Sequence, residues 1–322
     1  MSYESSLQSC ARPKERLTGD HVTIVMATLN GGWAIDAQLE SIARQTHRNW
    51  SLIVSDDGSD DDTLARVARF ADHNPERRIV RLRGPGRGSA MNFLSLLRAA
   101  GASPWLAFSD QDDVWLPDRL ERGLKALADM DEPAVFGSRT IIASAHLTPQ
   151  RLSPRFTKPT SFRNALVQNV AGGNSMLLNR AALDVLQPAS LAVEDLIAHD
   201  WWAYQAITAV GGRMILGDAP TLLYRQHAEN QIGANDTLRA SLLRLGAVLD
   251  GRFAHWLDVQ TAALTPLVDH MTPEAHHVFT ELRKARQTGP LQGLRALKAI
   301  GLYRQSARGT AAMWGAAAIG RL

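Results

Sequence analysis

The sequence predicts an α/β fold built on a mostly parallel, Rossmann-like sheet, followed by a helical C-terminal region. Three observations predict it. Four short apolar runs early in the chain each precede or follow a segment with helical spacing, the alternation of a doubly wound sheet. Polar and acidic residues collect where those runs end, the edge at which such sheets bind ligands. From residue 234 onward the pattern is helical almost throughout.

The elements follow in order. Residues 1–20 are polar and expected to be loose. The first strand, Val22 to Ala27, ends in Thr28-Leu29-Asn30-Gly31-Gly32, and its helix carries Ile35, Leu39, Ile42 and Ala43 at helical spacing. The second strand, Ser51 to Ser55, runs into Asp56-Asp57-Gly58-Ser59, ahead of a helix with Leu64, Val67 and Phe70 on its apolar face. The third, Ile79 to Leu82, precedes a helix that starts after Gly88 and carries Met91, Leu94 and Leu97. The fourth, Leu106 to Phe108 with Trp105 ahead of it, breaks into Ser109-Asp110-Gln111-Asp112-Asp113-Val114-Trp115.

Further on, Ala134 to Ser138 reads as a strand, residues 144–160 as a polar surface loop, and Val170 to Leu178 as a loop feeding a strand. Gly172 and Gly173 in that loop would let backbone approach a ligand closely. A helix from Ala181 is expected to end before Pro188, because proline lacks the N–H a helix needs. Trp201, Tyr204 and Ile207 fit one helix face, and Arg213 to Leu216 a short strand. Helices are expected over residues 238–249, 253–264, 274–286 and 291–318. The expected division is a loose segment 1–20, a sheet domain 21–233 and a helical, basic region 234–322.

Composition narrows the function classes. A chain of 322 residues with 45% hydrophobic and 21% charged residues is ordinary globular protein with room for a sizeable core. Its single cysteine, Cys10, excludes an internal disulfide framework and gives no support to a cysteine-based zinc site. No apolar run approaches the roughly 18 residues of a spanning helix, and the first 20 residues lack the apolar stretch of a signal peptide. A cytoplasmic protein is therefore expected. The formal charge of +3 is small for a nucleic-acid binder, so no nucleic-acid partner is expected.

The cluster after the fourth strand carries the chemistry. Three carboxylates within four residues repel one another and raise each other's pKa unless a cation sits among them. A hard divalent metal with oxygen ligands is the simplest such cation. The bland alternative is a cap, by Asp112 or Asp113, on the helix beginning near Pro117, but a cap needs one acid. Asp200 likewise has an ordinary role as the cap of the helix it opens. Gly84-Pro85-Gly86-Arg87-Gly88 lacks the dinucleotide spacing and follows the third strand, and no G-K-[ST] occurs, so both nucleotide fingerprints are excluded.

Asp56-Asp57-Gly58-Ser59, Ser109-Asp110-Gln111-Asp112-Asp113-Val114-Trp115, His199-Asp200-Trp201-Trp202 and Leu223-Tyr224-Arg225-Gln226-His227, in that order, resemble the family 2 glycosyltransferases of GT-A fold, closest to the bacterial rhamnosyltransferase-like members. The likeness covers about residues 20–233. It implies an inverting enzyme that uses a nucleotide-sugar donor with Mg²⁺ or Mn²⁺. Thr28, Asn30, Asp56 and Asp57 would then hold the base and ribose. Asp110 and Asp112 match the family's D-x-D motif, with Asp112 as metal ligand and Asp110 near the ribose. His227 matches a histidine that completes the metal shell, and Asp200 the catalytic base, with Asp195 second in line. Asn92, Gln111, Gly173, Asn174, Trp201 and Arg225 complete the implied substrate-binding set. Two positions depart from the family pattern: Gly86 stands where asparagine is frequent, and Met91 where a basic residue is frequent.

The C-terminal region has eight Lys or Arg and no Asp or Glu from Leu282 onward, interleaved with Leu294, Leu297, Ile300, Leu302, Trp314 and Ile319. That is the composition of a segment lying on an anionic membrane surface, here the inner face of the cytoplasmic membrane, or of a solvated face packed on the sheet domain. A saccharide or lipid-linked saccharide acceptor of bacterial surface-polysaccharide synthesis suits the first. Two other readings compete: a catalytically silent relative that binds a nucleotide sugar or glycan, and a two-metal nucleotidyltransferase, for which Arg87 alone is thin support.

Overall fold

The computed structural model describes residues 19–226 and 251–321. A seven-stranded sheet forms its centre. The strands β1 (Val22–Thr28), β2 (Trp50–Asp56), β3 (Ile79–Arg83) and β4 (Trp105–Ser109) are parallel and alternate with α1 (Ile35–Ala43), α2 (Thr63–His73) and α3 (Ser89–Ala99). Beyond β4 lie β9 (Leu177–Asn179), β6 (Ala134–Ser138) and β10 (Arg213–Gly217), so the order is β10-β6-β9-β4-β1-β2-β3. β9 alone runs antiparallel, to both β4 and β6. The expected mostly parallel sheet is thus present.

β1 and β2 are buried on both faces along their whole length, which is why they read as unbroken apolar runs. Helices cover both faces: Ile35, Leu39 and Ile42 of α1 pack on one side with Ile24 and Leu52, and Phe93, Leu96 and Leu97 of α3 on the other with Val25 and Leu106. The register brings the strand ends level. Thr28 pairs with Asp56, Asp56 with Arg83, and Ser109 with Met26, so the loops after β1, β2 and β4 leave the sheet side by side. Reversal of β9 places its preceding turn, Gly173–Ser175, on that same edge.

A second, four-stranded sheet stands beside this edge, in the order β5 (Val114–Trp115), β11 (Leu222–Arg225), β7 (Ile141–Ala143) and β8 (Pro149–Leu152). The polar stretch 144–160 is therefore a β-hairpin arm in part, closed by Ser144 and Leu147 with Leu147 at φ 61°. Its strands of three and four residues are too short for periodicity to reveal.

Several helix expectations need correction. α4 spans Arg119–Leu127 and its cap position is Asp118, so neither Asp112 nor Asp113 caps it. Leu64 of α2 is 40% exposed, because only Val67 of its predicted face turns fully inward. α6 spans Arg180–Ser190 and includes Pro188. In the last turn the missing proline N–H removes a single bond, and the Ser190 hydroxyl donates to the Gln187 carbonyl to close the end. α7 (His199–Ala209) buries every residue from Trp201 to Ala209, not one face, because it runs between the sheet and the C-terminal helices. Its cap position is Ala198, so Asp200 is no cap either.

α8 (Arg252–Ala262) and α9 (Pro273–Arg286) match expectation, while the single helix expected over 291–318 is two, α10 (Pro290–Ala299) and α11 (Ala307–Ala318), broken at Gly301 with φ 70°. The helix expected over 238–249 lies outside the described residues. Leu297, Ile300, Leu302 and Met313 share one apolar core with Phe93, Phe108 and Tyr204 of the sheet domain. Backbone ties reinforce the seam: Arg163 Nε donates to Ile300 O at 2.7 Å, Asn164 Nδ2 to Tyr303 O at 3.0 Å, and Arg304 Nη1 to Val167 O at 2.9 Å. Most apolar residues of the basic region are thus engaged by the sheet domain, Ile319 at 55% exposure being the exception. No described helix is long and apolar enough to cross a membrane.

This seam predicts that Leu297→Ala lowers global stability by about 2–4 kcal/mol in urea unfolding followed by tryptophan fluorescence, in the same transition as the sheet domain. A loss under about 0.5 kcal/mol would show that α10 contributes nothing to that core.

Candidate active site

The level strand ends open a cleft of about 720 Å³ lined by the loops after β1, β2 and β4, the Gly173 turn, the start of α7 and the second sheet. Thr28, Asn30, Asp57, Asn92, Asp110, Gln111, Asp112, Gly173, Asn174 and Asp200 all line it. Asp56, Trp201 and Arg225 do not, and His227 lies outside the described residues.

Asp56 is 4% exposed and its carboxylate is occupied within the protein. It accepts from Thr28 Oγ1 at 2.8 Å, from Ser59 Oγ at 2.6 Å and from the Ser59 and Gly58 N–H groups at 2.8 and 3.1 Å. Burial pushes its pKa up, but these hydrogen bonds outweigh burial and hold it below the usual carboxylate range. Asp56 therefore shapes the loop, while Asp57 faces the cleft.

Asp57 fixes the glycine loop. Its Oδ1 and Oδ2 accept from the Gly86 and Gly88 N–H groups, each at 2.9 Å. Both glycines have positive φ, 66° and 84°, and a Cβ on Gly86 would meet nothing within 4 Å. The departure from the family pattern at Gly86 thus has a backbone reason, since asparagine is the side chain that best tolerates this left-handed conformation. Asn92 is 1% exposed and donates to Ser55 O at 2.8 Å, tying α3 to β2.

The loops after β1 and β4 are likewise stitched together. The Gln111 amide accepts from Leu29 N at 3.0 Å and donates to Leu29 O at 2.9 Å, as another strand would. A Cβ on Gly31 would stand 2.2 Å from Gln111 Oε1, so a larger residue there would displace the Gln111 amide from Leu29. Asn30, at φ 48°, donates its N–H to Ser59 Oγ and accepts from Asp60 N, at 2.8 and 2.9 Å.

The acidic cluster divides into faces. Asp113 is fully buried; it accepts from the Arg225 N–H at 3.0 Å and from the Asn174 amide. Burial first, then the Asp112 charge, push its pKa up. Burial and the charges of Asp113, Asp112 and Asp200 push Asp110 well above its ordinary range. Opposing them is Arg119, 2% exposed, which the sequence reading missed. Its guanidinium donates to the carbonyls of Phe108, Asn174 and Met176 at 2.7–3.1 Å and lies 3.6 Å over the Trp115 ring. Burial pulls its pKa down to about 9, still on the charged side of neutrality. The signal available in the sequence was a basic residue one helical turn into the segment after the acids. Arg225 backs the cluster from the other side, its Nε donating to Asp112 O at 2.7 Å.

Asp200 receives the Gly173 N–H on Oδ2 at 2.9 Å and the Trp201 N–H on Oδ1 at 2.6 Å, which aims the carboxyl along the cleft wall. Asp195 is exposed and outside the cleft. Trp201 is 6% exposed and donates through its indole to Ala165 O at 2.6 Å, a core anchor. Beside Asp200, His199 stacks on Phe93 with ring centres 3.9 Å apart and meets Phe108 edge-on at 4.8 Å. Its Nε2 is sealed with no hydrogen-bond partner, against Gly173. Burial lowers its pKa to about 4, so the ring is neutral next to Asp200 at physiological pH.

The comparisons agree with this architecture. The family model for glycosyl transferase family 2 matches residues 23–186. The dTDP-rhamnosyl transferase RfbG of Shigella flexneri is 29% identical over 230 residues, 69% of this chain and 78% of that protein. The UDP-Glc:alpha-D-GlcNAc-diphosphoundecaprenol beta-1,3-glucosyltransferase WfgD of Escherichia coli is 29% identical over 134 residues, 42% of this chain and 51% of its own length. A mannosyltransferase from Pyrobaculum calidifontis, solved with GDP-Man and Mn²⁺, superposes with a TM-score of 0.51 at 18% identity over 88% of this chain and 87% of that one, which shows the GT-A fold.

His199 yields a pH prediction. Its folded pKa lies below the unfolded value near 6.5, so its contribution to stability is present above pH 6.5 and is lost as pH falls toward 4. The His199→Phe variant should lose roughly 2–3 kcal/mol less than the wild type between pH 6.5 and 4 in urea titrations. Parallel pH curves for the two proteins would refute a buried neutral histidine.

Proposed function

The chain belongs to glycosyl transferase family 2 and is a glycosyltransferase, and we propose that it moves a sugar, with inversion, from a nucleotide-diphosphate donor to a saccharide or lipid-linked saccharide acceptor of bacterial surface polysaccharide. The observation that carries this reading is the single cleft that gathers Asp57, Asp110, Asp112 and Asp200 at one sheet edge. dTDP-rhamnose is the first candidate donor, because RfbG is named for it, with UDP-sugars second.

Base and ribose are assigned to the β1 and β2 side, where Thr28, Asn30 and Asp57 line the cleft, and Asp110 faces the ribose. A divalent ion, Mg²⁺ or Mn²⁺, fits the donor set: hard carboxylate oxygens whose mutual charge a cation would relieve. Among the described residues no three of His, Cys, Asp or Glu are gathered to hold a metal by themselves. Such an ion would rest on Asp112 and share phosphate oxygens of the donor, with His227 the further ligand the family pattern offers. Bound there, it would supply charge to the departing diphosphate.

The protein's own part in the reaction is deprotonation and orientation. Asp200 accepts the proton of the attacking acceptor hydroxyl, an effect of about 10²- to 10⁴-fold on rate. The Gly173 and Trp201 N–H groups hold its oxygens in one orientation, and the neutral His199 spares it a neighbouring positive charge that would weaken the base.

Two variants test this. Asp112→Asn should abolish Mn²⁺-dependent binding of dTDP or UDP in calorimetric titration, and intact metal-dependent affinity would remove Asp112 from the metal. Asp200→Asn should bind the donor nucleotide within about twofold of wild type while transfer falls by about 10² or more. Turnover near the wild-type level would move the base elsewhere.

A further inference from the structure

The site residues take up one end of the cleft, and its far flank is lined by Ser138, Arg139, Thr140, Ser153, Phe156 and Asp218. Around Asp200 the cleft is acidic, yet Arg139 is the one Lys or Arg among the described residues that line it. Its guanidinium is set, not loose. Nε and Nη2 both donate to the Ser153 carbonyl, at 2.9 and 2.7 Å. Its backbone is clamped on either side, with Arg139 N donating to Gly217 O and Thr221 N to Arg139 O. Thr140 N donates to Ser153 Oγ at 2.9 Å, which locks the facing segment. No carboxylate among the described residues pairs with Arg139. Asp218, the acid on this flank, is held instead by Arg155, through Nε to Oδ1 at 2.9 Å and through Nη2 to Oδ2.

A partly buried guanidinium with five N–H donors, two of them spent on one carbonyl, and no counter-charge is a prepared anion receptor. We propose that this flank is a subsite for an anionic group carried by the acceptor, a phosphate or a sugar carboxylate, read by Arg139. The proposal rests on the transferase reading of the cleft.

Strand order shows why the anion belongs to the acceptor and not the donor. Along the edge stand Asp57 after β2, Thr28 on β1, Asp110 and Asp112 after β4, the Gly173 turn before β9 that holds Asp200, and then Arg139 after β6. At about 4.8 Å per strand, Arg139 is about 10 Å past the Asp110–Asp112 loop and about 19 Å from Asp57. A group at Arg139 therefore lies beyond the base, one strand spacing past the position at which the acceptor hydroxyl is deprotonated. The nucleotide lies on the opposite side. A charged substituent next to, or on the sugar linked to, the accepting unit would reach it.

The test uses the full chain with Mn²⁺ and saturating dTDP or UDP, so that the donor side is filled. Octyl phosphate, octyl glucuronide and uncharged octyl glucoside are titrated calorimetrically against wild type, Arg139→Gln and Arg139→Lys, each checked for an unchanged melting temperature. The expected result is binding of at least one anionic probe, weakened about tenfold or more in Arg139→Gln and less in Arg139→Lys, with no difference for octyl glucoside. Preference for octyl phosphate points to a lipid phosphate, and preference for octyl glucuronide to an acidic sugar. Equal affinity in wild type and Arg139→Gln, or no binding of either anionic probe to wild type, overturns the proposal. So does a loss of nucleotide affinity in Arg139→Gln, which would place Arg139 on the donor. The nucleotide titration of wild type alone tests the underlying transferase reading separately.

Discussion

The cleft depends on one electrostatic constraint: four carboxylates must stand together at the end of a sheet without driving it apart. Asp110, Asp112, Asp113 and Asp200 each raise the energy of a neighbour's charge, as the upward push on Asp110 shows. The fold answers with Arg119, buried beneath them on α4 and bound to three carbonyls of β4 and the Gly173 turn. Its charge acts on Asp113 and Asp110 across space, so Arg119 and these two acids are electrostatically coupled parts of one support. Asp113 is held by the Arg225 N–H and the Asn174 amide, while Asp110 and Asp112 line the cleft. The protein thus holds the acidic cluster together at the edge of the cleft.

The same economy runs through the other loops. Asp56 and Asp57 are adjacent in sequence and opposite in use: one is consumed by Thr28, Gly58 and Ser59, the other reaches the cleft and carries the glycine loop on its two oxygens. Gln111 binds Leu29 through both ends of its amide, so the loops after β1 and β4 move as one body. Rigid placement of this sort is what lets a carboxylate act on a defined hydroxyl and not on water.

The basic C-terminal region looks amphipathic in one dimension, but most of its apolar residues are spent inside the protein, Ile319 excepted. Leu297, Ile300, Leu302 and Met313 join the core under α7, and the two indoles of α7 point apart, Trp201 to Ala165 O and Trp202 to Ala263 O, locking the short helix α5 (Phe162–Ala165) on one side and the end of α8 on the other. α7 therefore carries Asp200 on a helix gripped from both sides. Its complete burial is the reason that a one-face pattern was the wrong template for it.

By itself the sequence determined the alternation of strands and helices, the edge on which polar residues gather and the identity of Asp57, Asp110, Asp112 and Asp200 as cleft residues. The elements, the edge and the first three acids follow from local pattern, apolar runs buried on both faces with acids placed directly after them, while Asp200 came from the family resemblance alone. Which acid faces inward was not legible. Asp56 and Asp57, or Asp112 and Asp113, are alike in sequence, and only the register of Thr28 beside Asp56 and the approach of Arg225 to Asp113 separate them. Arg119, the β7–β8 hairpin, the break between α10 and α11 and the Arg139 flank also belong to the tertiary structure. Arg119 depends on Asn174, 55 residues away, and Arg139 on Ser153, across the hairpin, and no periodicity within one segment encodes the position of another.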